Sequence, residues 1–360
     1  MVSYFETRTR IIAVVAIGAS LAALGLRLGG AGGVAIFVAS AIGLAGLAAM
    51  VGEGTTQLAH RLGPKATGVL QSALGNLPEF FIGIFALRAG LLDVVRAALV
   101  GSILANTLLV LGLAFLVGGL RHGPQKFGTD QTKMMSTLLL LAAAAIAIPT
   151  IATSAGGPAY GHETELSVIV SIVLLAVFAG SLPFAVGKGS TTAEVDESGR
   201  DAADWPLAVA AGVLLAAGIG AAFVSDWFVD ALKPAMNSLG MSEAFAGLVV
   251  VAIAGNAVEN VVGVQAMLAN KGDLAISVIL NSSLQVALAL VPVLVLTSLV
   301  LGGATLTLVV SPLLVAALAL TAVLASLVVM DGESTWLEGL ALIGLYVILA
   351  ASVWWGRPIG

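Results

Sequence analysis

Apolar segments of roughly 20 residues follow one another along the whole chain, which is the length that a helix needs to cross a bilayer. Within each segment the apolar residues are continuous instead of alternating every second residue, and this favours membrane-spanning helices over the strands of a barrel. The pattern predicts eleven spans, at 11–28, 33–59, 64–88, 93–118, 131–153, 164–187, 205–225, 241–268, 273–300, 304–330 and 335–355. We therefore expect an all-α integral membrane protein of about 11 transmembrane helices, surrounded by the lipid bilayer.

A short motif occurs twice, once in the third predicted span and once in the eighth. The first copy reads Gly-Asn-Leu-Pro-Glu at 75–79, and the second reads Gly-Asn-Ala-Val-Glu at 255–259. The match continues in the same register without a gap, because Asp93 corresponds to Asp273 and Leu104 to Leu284. The chain is thus predicted to contain a duplicated unit.

The spacing of the motif spans predicts the topology. Setting the first span aside leaves two sets of five, and each set carries the motif in its second member. Two spans that are five apart cross the membrane in opposite directions, so the halves form an inverted repeat, a plan of many secondary transporters. The expected division is an N-terminal transmembrane helix (1–32), a first five-helix repeat (33–187), an acidic cytoplasmic linker (188–204) and a second five-helix repeat (205–360).

The composition agrees with a membrane protein and narrows the chemistry. Hydrophobic residues make up 59% of the chain and charged residues 10%, against about 25% charged residues in a typical soluble domain. Cysteine is absent, which excludes disulfides and thiolate metal sites. The three histidines lie near the ends of predicted spans and form no His-Glu-x-x-His pattern, so an intramembrane zinc protease is not expected. We expect no enzymatic activity, no cofactor and no nucleic-acid partner.

The distribution of basic residues predicts the orientation. Ten of the 15 lysines and arginines fall on the side of the N-terminus, and the other five fall on the opposite side. By the positive-inside rule the N-terminus is cytoplasmic, in what we expect to be the plasma membrane of a prokaryotic cell. The linker Lys188–Asp204 carries five acidic residues on the cytoplasmic side, and it is either a solvated connector or a segment that attracts cations.

Each copy of the motif places a glutamate, Glu79 or Glu259, near the middle of its span. An ionisable side chain at that depth costs roughly 2.5–3.5 kcal/mol on insertion scales and marks a functional candidate, with a protonated structural pair as the alternative. Asn76 and Asn256 precede the glutamates by three residues and share a face of the helix turn with them. These asparagines are candidates for cation ligands or for interhelical hydrogen bonds.

Three further polar residues complete the candidate set. Ser102 follows Glu79 at the same spacing as Ser282 follows Glu259, and both offer hydroxyl oxygens, unless their small size serves helix packing alone. Gln285 has no counterpart in the first half, where Ala105 takes its place, and it is a candidate for ion or proton handling. Pro78 removes a backbone donor and is expected to free a carbonyl inside the first motif helix.

All the candidate ligands are oxygen atoms, which suits a hard cation such as Ca²⁺, the cation that this set fits best. Two glutamates with one bound Ca²⁺ carry no net charge, and the same two glutamates with two protons are also neutral. The empty site would carry two negative charges in a low dielectric, which is strongly unfavourable. A site that changes sides only when it is neutral exchanges Ca²⁺ for protons. Sodium-coupled exchange or another divalent cation is the near alternative, and a channel with a glutamate ring or a membrane enzyme is a more distant one.

At these residues the chain resembles the cation/proton exchangers of the CAX type, within the calcium/cation antiporter superfamily. The resemblance rests on GNLPE at 75–79 with GSILAN at 101–106, on GNAVE at 255–259 with KGDL at 271–274 and SSLQ at 282–285, and on DGESTWLEG at 331–339. It extends over most of the chain from about residue 50. The resemblance implies an inverted-repeat fold in which the two glutamates bind Ca²⁺ and protons in turn, with Asn and Ser nearby as helpers.

Two positions depart from the pattern of that family. Asn260 follows the second glutamate where many members have histidine, and Thr56-Gln57 replaces a more acidic pattern in the second span. Sodium/calcium exchangers are the near alternative, and their repeats tend to carry Gly-Thr-Ser before Pro-Glu and an acidic residue in the following helix. This sequence lacks those features at Gly255–Glu259 and Ser282–Gln285, so the resemblance favours coupling to protons.

Overall fold

The computed structural model describes residues 6–62, 74–187 and 205–355, with side chains throughout except at 59–62, 183–187, 258 and 259. The predicted acidic linker 188–204 and the first part of the predicted span 64–88 lie outside the described residues.

Helices account for nearly all of the described chain. In the first half they are α1 (Thr7–Leu28), α2 (Gly33–Leu62), α3 (Leu77–Arg88), α4 (Leu92–Leu104), α5 (Leu111–His122), α6 (Thr129–Ala152) and α7 (Glu163–Gly187). In the second half they are α8 (Leu207–Leu239), α9 (Glu243–Phe245), α10 (Ala252–Gly255), α11 (Ala257–Leu268), α12 (Gly272–Gln285), α13 (Val291–Leu301), α14 (Pro312–Val328) and α15 (Trp336–Trp354). Three segments are π-helical, namely π1 (Ala105–Val110), π2 (Ala246–Val251) and π3 (Val286–Leu290). The strands β1 (Gln125–Lys126) and β2 (Glu333–Ser334) pair antiparallel.

The helices follow the apolar segments of the sequence. Among the described residues, eight helices are long and apolar enough to cross a membrane, and the bent pair Glu243–Gly255 and Asn260–Leu268, whose halves meet at 62°, is either a ninth, broken span or a re-entrant loop. α14 is apolar but has only 17 residues, and the third predicted span is described only from residue 74 onwards. The chain is therefore a helical membrane protein, and the number of eleven spans stays a prediction.

The tenth predicted span begins later than the apolar pattern indicates. Residues 304–311 are not helical, and α14 begins at Pro312 with Ser311 as its N-cap. Proline at the first helical position and serine before it both favour a helix start, and hydropathy does not register either effect. The segment before α14 is held instead by side chains, because the amide of Leu308 donates to the hydroxyl of Ser167 at 2.9 Å.

Local structure recurs in the register of the sequence repeat. α3 and α11 begin and end at equivalent positions of the two halves, and α4 and α12 also start at equivalent positions. The turns after α3 and α11 contain Gly90 and Asn270 at equivalent positions, with φ of 74° and 59°. Asparagine tolerates this left-handed conformation better than most residues, so the second turn keeps its shape without a glycine. The opposite membrane direction of the two halves stays a prediction.

The described chain packs as two compact units, and each unit draws on both halves of the sequence. Unit 1 comprises Met1–Phe85, Gly180–Gly240 and Ala254–Val258, and unit 2 comprises Ala86–Ala179, Met241–Ile253 and Glu259–Gly360. These units describe packing within the chain, and the division into two sequence repeats joined by a linker remains a prediction.

In unit 1, α2 and α8 pack along much of their length, and α1 packs mainly on α2. Phe37 of α2 stacks on Phe228 of α8 with the ring centroids 4.8 Å apart. Farther along the same pair of helices, a Cβ on Gly54 would lie 3.3 Å from the Cβ of Leu214. Small residues thus let the two long helices approach closely, as helix packing in lipid requires.

In unit 2, π2 packs against α4, and α15 packs against α5. Gly101 of α4 touches the backbone of Leu248 in π2, and a Cβ on Gly112 would lie 2.8 Å from the carbonyl oxygen of Gly339. Glycines at these crossings bring backbones together where lipid supplies no hydrophobic force between helices. This packing fixes α4 and π1, which carry part of the candidate site.

Candidate cation site

Both copies of the repeated motif place their asparagine in a turn immediately before a helix. In the first copy Asn76 lies in a turn and α3 begins at Leu77, while in the second copy Asn256 lies in a turn and α11 begins at Ala257. Each glutamate is therefore in the first turn of a helix. The partial positive charge of a helix N-terminus favours a carboxylate at that position.

Pro78 lies in the first turn of α3 and not inside a continuous helix as expected, and the freed carbonyl stays a prediction. It is the second residue of α3, where a backbone N–H would have no partner within the helix in any case. Val258 takes the equivalent place in α11, and the second turn forms without a proline. The glycine–asparagine pair is the feature that the two turns share.

Glu79 is buried in unit 1, where 7% of the residue is exposed. Its Oε1 accepts a hydrogen bond from Nδ2 of Asn256 at 2.5 Å, and Asn256 is itself fully buried. Gly255 packs against the same side chain, since a Cβ at that position would lie 2.9 Å from Oε1 of Glu79. The Gly-Asn pair of the second copy thus forms part of the wall around the glutamate of the first copy.

Asn76 and Glu259 are the other two motif residues. Asn76 is buried in the turn before α3. The backbone of Glu259 belongs to the first turn of α11, while its side chain lies outside the described residues. The prediction that the two glutamates act together therefore stays a prediction.

Four buried polar side chains lie in unit 2 near the points where α4 and α12 pass into π1 and π3. They are Ser102, Asn106, Ser282 and Gln285, each at most 6% exposed. Nδ2 of Asn106 donates a hydrogen bond to Oγ of Ser282 at 2.9 Å. This bond joins the first half of the sequence to the second, as the contact of Glu79 with Asn256 does in unit 1.

The residue set predicted from the sequence omits Asn106. Apart from Gln285, the polar residues selected from the sequence are present in both halves, and the counterpart of Asn106 is Val286. A signal was nevertheless present, because Asn106 follows Ser102 by four residues and so lies on the same face of the helix. Asn106 is 1% exposed and belongs to the candidate site.

The π-helical segments lie at equivalent places in the two halves. π1 covers Ala105–Val110 and π3 covers Val286–Leu290, so both end at the same position of the sequence repeat. π-Helical turns are rare in proteins, and those that occur often lie at functional sites. Gln285, the residue without a polar counterpart, is the last residue of α12 before π3.

The family-like tail at 331–339 forms a short strand and the start of α15. Glu333 and Ser334 make up β2, which pairs with β1. Thr335 and Glu338 form a capping box, in which the Thr335 hydroxyl accepts from the Glu338 amide and the Glu338 carboxylate accepts from the Thr335 amide. The tail therefore starts α15 and carries no predicted ligand.

The chemistry of the Glu79–Asn256 pair suits a group that changes its protonation state. An ionised carboxylate only accepts hydrogen bonds, and here it accepts one from the Asn256 amide. A protonated carboxyl also donates, and the same amide side chain offers a carbonyl oxygen as an acceptor once it turns over. Within the described ranges no three His, Cys, Asp or Glu side chains gather to hold a metal ion, so amide and hydroxyl oxygens would have to contribute.

Comparison with known proteins gives a consistent set of matches. Residues 32–187 and 209–355 match the sodium/calcium exchanger protein family. The Ca²⁺/H⁺ antiporter of Aphanothece halophytica is 35% identical over 335 residues, which cover 88% of this chain and 89% of the relative. The Ca²⁺/H⁺ antiporter ChaA of Bacillus subtilis is 34% identical over 327 residues, with 88% and 90% covered. The solved structure of native YfkE matches with a TM-score of 0.82 at 30% identity, covering 96% of this chain and 99% of that one.

Proposed function

Because the chain belongs to the sodium/calcium exchanger protein family, we propose that it is a secondary antiporter that exports Ca²⁺ in exchange for protons. Its family and its relatives are transporters, so the chain is a transporter and not an enzyme, and the resemblance to cation/proton exchangers is confirmed. The two relatives described above are named Ca²⁺/H⁺ antiporters, and this supports Ca²⁺ and H⁺ as the exchanged ions. The observation that carries the proposal is the buried carboxylate of Glu79, held by the amide of Asn256.

The charge of the site provides the coupling. Glu79 and Glu259 carry two negative charges when both are ionised, and one Ca²⁺ or two protons neutralise them. A site with uncompensated charge is costly at membrane depth, so the states that change sides are those with Ca²⁺ or with two protons. Ca²⁺ moving one way then requires protons to move the other way, and the exchange is electroneutral.

The other site residues are assigned roles by their chemistry. Asn76, Asn256, Ser102 and Ser282 supply uncharged oxygens to the cation, together with the carboxylates of Glu79 and Glu259. Asn106 positions Ser282 through its hydrogen bond. Asn256 follows the protonation of Glu79 by presenting either its amide N–H or its carbonyl oxygen. Gln285 assists proton transfer, because a glutamine both donates and accepts.

We further propose that the two halves form an inverted repeat and that transport proceeds by alternating access. The recurrence of α3 and α4 as α11 and α12, in the register of the repeated motif, supports a duplicated unit. The contact of Glu79 with the Gly255-Asn256 pair supports a site to which both repeats contribute. The proposed orientation has the N-terminus in the cytoplasm of a prokaryotic cell.

Sodium-coupled exchange is the second candidate, since the matching family is described by sodium/calcium exchange. A sodium-coupled exchanger would respond to a sodium gradient in the absence of a pH gradient. A single transport assay with defined pH and sodium gradients therefore distinguishes proton-coupled from sodium-coupled exchange.

The test uses the full chain reconstituted into proteoliposomes, with uptake of ⁴⁵Ca²⁺ as the measurement. A pH gradient that is acid inside should drive Ca²⁺ uptake without sodium, and a potential clamped with valinomycin should change the rate little. A sodium gradient at equal pH on both sides should give no uptake above that of empty liposomes. Uptake that follows the sodium gradient, or that ignores the pH gradient, would exclude proton coupling.

A further inference from the structure

An apolar groove of about 520 Å³ runs along one side of unit 1. One wall is a face of α3 with residues four apart, namely Leu77, Phe81 and Phe85. The other wall is a face of α8, made of Leu214, Leu215, Gly218, Ile219, Ala222 and Phe223. Among the described residues that line the groove, Asp226 is the only charged one, and it lies at the end of the α8 wall.

The groove is long enough for a single hydrocarbon chain of one leaflet. From Leu214 to Asp226 the α8 wall extends about 18 Å along the helix axis. One leaflet of a bilayer contributes about half of the hydrocarbon core of about 30 Å, so the groove is roughly one leaflet long.

The groove opens towards lipid. Leu215, Ile219 and Phe223 of its α8 wall are 65%, 58% and 60% exposed, in a helix that is long and apolar enough to span the membrane. Apolar side chains that are exposed within a membrane span face acyl chains. The occupant of the groove therefore comes from the bilayer.

A charged cluster lies at the end of the groove marked by Asp226. Arg27 in the last turn of α1 is 2.8 Å from the carboxylate of Asp230 and 3.8 Å from that of Asp226. α1 ends at Leu28 and α2 begins at Gly33, so this cluster is next to the turn between two membrane-spanning helices and hence at a membrane surface. With one guanidinium and two carboxylates, the cluster has a net charge of −1.

We propose that the groove binds one phospholipid with a primary amine headgroup, of the phosphatidylethanolamine class, from the leaflet at the α1–α2 turn. One acyl chain fills the groove, the ammonium donates hydrogen bonds to Asp226 and Asp230, and the phosphate meets Arg27. An anionic headgroup is disfavoured by the net negative charge of the cluster. A choline headgroup is disfavoured because its quaternary nitrogen has no N–H to donate to the carboxylates.

The bound lipid lies against the helix that carries the first glutamate. Phe81 and Phe85 of the groove wall follow Glu79 on α3 by two and six residues. The lipid therefore packs on the side of α3 in unit 1 that faces α8. This inference concerns lipid binding alone and does not depend on the ions that the protein exchanges.

The chain offers a matched pair of glycines for the test. A Cβ on Gly218 or on Gly212 would meet no described atom within 4 Å, so both positions of α8 accept a larger side chain. Gly218 lines the groove and Gly212 does not. Gly218→Leu should fill the groove, and Gly212→Leu is the control on the same helix.

The measurement is native mass spectrometry of the full chain released from nanodiscs with equal parts of phosphatidylethanolamine, phosphatidylcholine and phosphatidylglycerol. We expect the wild type and Gly212→Leu to retain one phosphatidylethanolamine, and Gly218→Leu to retain about tenfold less. The double variant Asp226→Asn, Asp230→Asn leaves the groove open and should lose the preference for phosphatidylethanolamine over phosphatidylcholine by about tenfold, the effect of losing a charge-assisted hydrogen bond.

Three results would overturn the proposal. The first is a wild type that retains the three lipids equally or prefers phosphatidylglycerol. The second is a folded Gly218→Leu variant, monodisperse on size exclusion, that retains phosphatidylethanolamine as the wild type does. The third is an Asp226→Asn, Asp230→Asn variant with unchanged headgroup preference, and this result decides the matter even if Gly218→Leu fails to fold.

Discussion

Oε1 of Glu79 accepts a hydrogen bond from Nδ2 of Asn256 at 2.5 Å, so the glutamate of the first motif copy is held by the asparagine of the second copy. Both residues are buried, and Gly255 leaves the space that the carboxylate occupies. Asn106 and Ser282 form a second bond between the repeats in unit 2. In both contacts a residue of one repeat depends on a partner in the other.

Glu79→Gln should abolish Ca²⁺/H⁺ exchange and leave the protein folded. The glutamine keeps an oxygen that accepts from Asn256, so packing survives, but it carries no charge for Ca²⁺ and takes up no proton. We expect ⁴⁵Ca²⁺ uptake to fall by more than about 95%, a loss of roughly 2 kcal/mol or more in transition-state terms. Glu165→Gln, at a side chain that is 66% exposed, is the control and should transport normally. Appreciable uptake by Glu79→Gln would remove this residue from the mechanism.

Gly255→Ala should impair exchange by displacing the Glu79 side chain. The added Cβ would lie 2.9 Å from Oε1, closer than non-bonded contact allows, so the Glu79 side chain must shift from its present position. We expect the apparent KM for Ca²⁺ to rise about tenfold, the effect of losing roughly 1.4 kcal/mol of binding. Gly212→Ala adds the same methyl group in open space and should leave the KM unchanged. An unaltered KM in Gly255→Ala would show that this contact does not set the position of the carboxylate.

Asn106→Ala and Ser282→Ala should be coupled in a double-mutant cycle on the apparent affinity for Ca²⁺. Either variant breaks the bond of 2.9 Å between the two side chains, so the double variant should lose less than the sum of the single ones. We expect a coupling of about 0.5–1.5 kcal/mol. Ser283→Ala is the control, since its hydroxyl donates to Ile279 within its own helix at 3.1 Å. Strict additivity of the Asn106 and Ser282 variants would indicate independent roles.

Gln285→Ala should change the pH dependence of exchange more than it weakens Ca²⁺ binding at alkaline pH. A glutamine both donates and accepts, so its loss affects the exchange of protons, while ionised glutamates still bind the cation at high pH. The two measurements are transport against pH and Ca²⁺ binding at a single alkaline pH. If binding collapses while the pH profile keeps its shape, Gln285 is a cation ligand instead.

The sequence by itself determined the class of the protein and most of the candidate residues. Continuous apolar segments indicate membrane helices because no other lipid-exposed segment satisfies its own backbone, and the described helices overlap those segments, although α8 ends 14 residues later and α14 begins 8 residues later than predicted. The duplicated motif pointed to Glu79 and Asn256, since a carboxylate is costly in lipid and is seldom repeated without a function. The same residues carried the resemblance to cation/proton exchangers, which the matching family and relatives confirm.

Tertiary structure alone decided which of these residues meet. Glu79 and Asn256 are 177 positions apart, and no local pattern predicts a contact over that distance because it depends on how whole helices pack. The sequence also did not predict Asn106 as the partner of Ser282. Asn106 has an apolar counterpart in the second half, and only its hydrogen bond to Ser282 in the folded chain shows its role. Two predictions about helix starts were also wrong: α14 begins later than expected, and Pro78 lies in a first turn. Hydropathy measures transfer into lipid and is insensitive to capping and backbone geometry. The groove between α3 and α8 likewise exists only in three dimensions, where faces of two helices distant in sequence enclose a space that neither defines alone.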